Sequence, residues 1–117
     1  MYCVYIPDKE ITTEGILLSL GASHKLSGFR YAEYMIDKAV EYPDCLLLIT
    51  KILYPEVAAK FHVSSNAVEN SLRKLIKVCW NRTDHYMLKE IAGIELTKAP
   101  SNLELLYMLS AYMRQFK

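Results

Sequence analysis

The sequence predicts an all-α single domain of six to seven helices that contains a helix-turn-helix. Three observations carry this prediction. Apolar residues recur at three- and four-residue spacing along most of the chain. Alternation of β-branched residues never lasts more than a few positions. Four glycines and four prolines punctuate 117 residues, so turns are few and well separated.

The elements follow in order. Residues ~12–20 carry Ile16, Leu17, Leu18 and Leu20, and Gly21 suits the stop. Residues ~28–42 place Phe29, Ala32, Met35, Ile36 and Val40 on one face and end before Pro43. Residues ~44–52 read as a short buried helix holding Leu46, Leu47, Leu48, Ile49 and Ile52. Pro55 suits the first turn of a helix over ~55–61, and a longer one spans ~65–82. Asp84 can cap a helix that stops at Gly93. Ser101-Asn102-Leu103-Glu104 is a capping box. The helix it opens carries Leu105, Leu106, Leu109, Tyr112, Met113 and Phe116 in a core-facing stripe.

Composition narrows the function. Hydrophobic residues make up 52% and charged residues 23%, which excludes a disordered chain. One core of this size is expected, with no receiver, kinase or nucleotide-binding domain fitting beside it. The apolar runs, such as Cys45 to Ile49 and Met1 to Ile6, are far short of the ~20 residues of a membrane span. The N-terminus has neither a basic lead nor a long apolar stretch, so no secretory signal is expected. Cysteines 3, 45 and 79 form no C-x-x-C pair and are odd in number. The expectation is a cytoplasmic protein with free, mostly buried thiols and no membrane partner. No ligand spacing links these cysteines to His24, His62 or His85, so neither a metal nor another cofactor is expected. No phosphate-cradling glycine loop, acid–base pair or nucleophile motif is visible, so an enzyme is not expected.

The charge is unevenly spread. The formal net charge is +1, yet residues 51–82 set Lys51, Lys60, Arg73, Lys74, Lys77 and Arg82 against Glu56 and Glu69 alone. A basic block in a neutral domain suits a polyanion or an ordinary solvated helix face. The same block holds the helix-turn-helix pattern. Ala58 is small enough for a close second helix, and Val68, ten residues on, can plug the angle between the two. Four positions after Ala58, where glycine is usual, stands His62, which predicts a slightly irregular turn. Ser64 or Ser65 can cap the second helix.

That helix divides into two faces. Val68, Leu72, Leu75, Ile76, Cys79 and Trp80 share the apolar one, while Glu69, Asn70, Arg73, Lys74 and Lys77 share the polar one. Arginine can grip guanine O6/N7, asparagine can grip adenine N6/N7, and glutamate can accept from cytosine N4. Lysine suits phosphate. The candidate DNA-binding set is Lys60, Ser64, Ser65, Asn66, Glu69, Asn70, Arg73, Lys74 and Lys77. Within it Arg73, Glu69 and Asn70 would read bases, and Lys60, Lys74 and Lys77 would position the backbone. An amphipathic surface helix of mixed charge is the plain alternative.

The segment from Ile49 to Phe61, ITKILYPEVAAKF, resembles the signature of the C-terminal effector domain of the stage-zero sporulation protein A response-regulator family. Val68-Glu69, Arg73, Ile76, Val78, Trp80 and Arg82 continue the likeness, with Leu20 to Lys25 and Gly28 to Tyr31 upstream and Pro100 to Glu104 downstream. It covers about residues 14–116. The resemblance implies a six-helix, all-α domain that binds double-stranded DNA in the major groove to control sporulation transcription. RNA polymerase and a second copy on DNA are the further partners it implies. It places Glu69 and Arg73 on base-contacting positions, and Ser64 on a capping position near phosphate. The family usually carries arginine where this chain has Ala67 and Asn70, so phosphate and base contacts should be weaker or the preferred box altered. Residues 81–96, on the family's polymerase-facing region, match poorly.

The expected organisation is a lead segment over 1–13 and the effector domain over 14–117. The opening Met1 to Tyr5 does not resemble the end of a receiver, which favours a stand-alone chain over an excised domain. The competing function is a degenerate paralogue that does not bind DNA and acts as a protein-interaction module on a full-length regulator or on RNA polymerase.

Overall fold

The computed structural model describes residues 12–81, 86–93 and 96–116. Among them stand six α-helices and no strand: α1 (Thr13–Ser19), α2 (Ser27–Glu41), α3 (Tyr54–Phe61), α4 (Ser65–Trp80), α5 (Tyr86–Ala92) and α6 (Asn102–Arg114). The all-α prediction holds. Asp84 and Cys3 lie outside the described residues.

Helix ends form where the sequence supplies caps. Thr12 accepts the Gly15 N–H at 2.9 Å to open α1. Beyond its end Ala22 N–H reaches Leu17 and Gly21 N–H reaches Leu18, with Gly21 at φ 106°, a conformation that glycine tolerates. The capping box of α6 is complete, since Ser101 accepts from Glu104 N–H and Glu104 accepts from Ser101 N–H.

Helix α2 is the centre of the molecule and packs against α1, α4 and α6. Phe29, Ala32, Met35, Ile36 and Ala39 are fully buried on it. They meet Leu72 and Leu75 of α4 and Leu105, Leu106 and Leu109 of α6 in one core. Arg114 at the end of α6 donates to the Ala39 carbonyl at 3.0 Å, tying the last helix back to α2.

The expected short buried helix over ~44–52 is not what forms. Pro43–Leu48 winds as a 3₁₀ helix and Ile49–Leu53 as a π-helical turn. With three residues per turn, only every third side chain faces inward. Leu46 is therefore buried, while Leu47 is 79% exposed and Leu48 49%; Ile52 in the next turn is 51% exposed. The α6 stripe also thins at its end. Tyr112 is half-buried and Phe116, past the last helical residue, is exposed. Of the described thiols, Cys79 is buried and Cys45 half-buried.

Candidate nucleic-acid interface

Helices α3 and α4 meet at a sharp corner. Ala58 and Val68 are both buried there, as the spacing requires. His62 takes φ 59° and ψ 46°, the left-handed conformation that glycine would adopt. Its N–H and that of Val63 both return to the Ala58 carbonyl, the second at 2.9 Å. The turn is therefore regular, contrary to expectation. Histidine is among the residues that enter this region more readily than most. Ser64, rather than Ser65, caps α4 by accepting Ala67 N–H at 3.0 Å.

The corner is buttressed from α2. Glu56 in the first turn of α3 accepts from Tyr34 at 2.6 Å and from Lys38 at 2.7 Å. These two donors hold its carboxyl below the usual carboxylate range. The same contacts raise the Lys38 ammonium and the Tyr34 hydroxyl. Phe61 packs between Tyr31 and Tyr34, with the Arg30 guanidinium 4.9 Å from its ring centre.

The two faces of α4 separate much as predicted. Val68, Leu72, Leu75, Ile76 and Cys79 are buried; Asn66, Asn70, Arg73, Lys74 and Lys77 are exposed. Two residues depart from the division. Trp80, expected inside, is half-buried; Glu69, expected outside, is half-buried on the flank. Arg73 donates to Glu69 at 2.8 Å and to Asn70 at 3.0 Å, so three candidate residues form one hydrogen-bonded group. Ser64 and Asn66 are exposed at the start of α4 and Ser65 is half-buried. Lys60 is exposed on α3, with its ammonium over the Tyr34 and Phe61 rings, and does not join the Arg73 group.

A cleft of ≈ 490 Å³ runs along this flank, between Ile76, Trp80 and Lys77 of α4 and Pro100 to Leu103. Asn102, absent from the candidate set, lies at its rim. Its Nδ2 donates to the Tyr54 hydroxyl at 3.0 Å and to the Glu69 carbonyl at 3.1 Å, joining α6, α3 and the middle of α4. The capping box located this asparagine in sequence, but its partners lie 48 and 33 residues away. Among the described residues, no three His, Cys, Asp or Glu side chains gather to hold a metal ion. Nor is any helix long and apolar enough to cross a membrane.

A capped, basic-faced helix set across a tight corner from a shorter one defines a helix-turn-helix domain. Residues 13–113 match the family model described as Sporulation initiation factor Spo0A C terminal. The chain belongs to that family, a DNA-binding regulatory domain of sporulation transcription control and not an enzyme family.

Proposed function

We propose that this chain is a sequence-specific, non-enzymatic transcription regulator of the cytoplasm that lays α4 in the major groove of double-stranded DNA. One observation carries the proposal: the polar face of α4 stands clear of the body along Asn66, Asn70, Arg73, Lys74 and Lys77 while its opposite face is buried. The major groove, ~12 Å wide, admits such a helix. Arg73 supplies the fork that matches guanine O6/N7, and Lys74 and Lys77 flank it as phosphate contacts. Ser64, Ser65 and Asn66 occupy the helix start, where free N–H groups and the dipole favour a phosphate. The effector unit is residues 14–117, with RNA polymerase and a second copy on DNA as its further partners.

The test is in vitro selection from a random duplex library, followed by gel shifts on the enriched sequence. The expected result is one enriched box, bound more tightly than scrambled DNA and losing preference at one base pair in Arg73→Ala. Equal binding to enriched and scrambled duplexes would overturn the proposal. The competing protein-interaction role draws support from the exposed Leu47, Leu48 and Ile52. Capture of a full-length regulator or polymerase, with no DNA complex in gel shifts, would favour that role.

A further inference from the structure

We infer that Asn70 and Glu69 are positioning residues for Arg73, so that the reading face holds one composite specificity determinant instead of three independent ones. This rests on the proposed DNA reading and deepens it. A guanidinium carries five N–H donors and no acceptor. The Asn70 atom that faces Arg73 must therefore be Oδ1, as it is at 3.0 Å. That contact takes one of the two lone pairs of Oδ1 and turns the amide oxygen toward Arg73. It therefore competes with a grip on adenine, which needs the same oxygen to accept from N6–H while the amide donates to N7. What Asn70 keeps for a groove is its two Nδ2 donors and the second lone pair of an oxygen already aimed at Arg73.

Glu69 is likewise committed. Its Oε2 accepts from Arg73 at 2.8 Å, and its side chain is 38% exposed against 63% for Arg73, so Arg73 stands further out. Its backbone carbonyl is fixed by Asn102. With two of five donors held from below, Arg73 keeps three for a base and loses much of the rotamer freedom that binding would otherwise have to freeze. The geometry thus assigns guanine to Arg73 and the aiming of Arg73 to its neighbours.

The experiment uses the whole chain on its selected duplex and every single-base variant of that duplex, at one salt concentration. Arg73→Ala should weaken binding ~10- to 100-fold and flatten the preference at one base pair. Asn70→Ala should flatten the preference at that same base pair, and the double variant should bind within about twofold of Arg73→Ala alone. Asn70→Asp keeps an acceptor for Arg73 but cannot grip adenine, and should retain the guanine preference. Both side chains are exposed, so melting temperatures should move by no more than ~2–3 °C. Loss of preference at a second base pair in Asn70→Ala, multiplying with the loss in Arg73→Ala, would overturn this inference and leave the DNA reading intact. A wild-type chain that enriches no sequence would overturn both.

Discussion

The place a Cβ would occupy on Gly28 lies 2.4 Å from the carbonyl oxygen of Ser71 and 2.8 Å from its carbonyl carbon. Helices α2 and α4 therefore touch backbone to backbone, and the Ser27 and Ser71 hydroxyls share a hydrogen bond of 2.9 Å beside the contact. This closeness sets how α4 is presented. Neither helix backbone can yield cheaply, so Gly28→Ala should cost roughly 1–3 kcal/mol by overpacking. Thermal melting should record a fall of ~5–15 °C, and DNA affinity should fall with it. Ser27→Ala, which removes only the hydroxyl bond, should cost no more than about 1 kcal/mol.

The corner at His62 makes an opposite prediction for glycine. A β-branched residue at φ 59° meets its own backbone, so His62→Val should destabilise by about 1–2 kcal/mol. His62→Gly suits the conformation and should melt at or near the wild-type temperature, relief of the left-handed cost being offset by a more flexible unfolded chain. Denaturant titration of the two variants checks both signs.

Glu56 predicts an acid-sensitive buttress. Its carboxyl binds a proton less readily in the folded chain than its ordinary value of 4.5 would give, because Lys38 and Tyr34 donate to it. In that window the unfolded chain holds more protons, so folding stability falls as pH drops from ~4.5 through the depressed value. Lys38, whose ammonium is raised, contributes stability that fades only as pH climbs past its ordinary 10.5. Glu56→Gln should flatten the acid limb of a melting-temperature profile and lower the melting temperature near pH 7 without changing the slope there, since Glu56 is ionised in both states at that pH. An unchanged acid limb would remove Glu56 as its source.

Salt should separate phosphate contacts from base contacts. If Lys60, Lys74 and Lys77 each neutralise one phosphate, log affinity should fall against log salt with a slope of about −3. Lys77→Ala should bring the slope to about −2 and weaken all sequences alike. Arg73→Ala should instead change which sequence is preferred. Filter binding on the selected box and on scrambled DNA measures both effects.

Much of this was legible in the residues. Ser101 and Glu104 announced the start of α6, Pro43 the end of α2, and the spacing of Ala58 and Val68 the corner between α3 and α4. Local rules sufficed because the interactions they describe span three to ten positions. Residues 43–53 escaped, because Leu46 to Ile49 are apolar in every register and only the 3₁₀ winding decides which side chain turns inward. Asn102 escaped because its partners arrive from other helices. The Arg73 group lay within reach: Glu69 and Asn70 stand four and three positions before the arginine, a spacing at which helical side chains meet.

Asn102 gives the tail of this chain a say in how its middle is held. A single amide links the first residue of the closing helix to the carbonyl of Glu69 and to the ring hydroxyl at the head of α3. The middle of α4 is thereby tied to a side chain more than thirty residues downstream that lies outside the candidate contact set. Small lesions near the C-terminus should blunt discrimination between boxes well before they unfold anything.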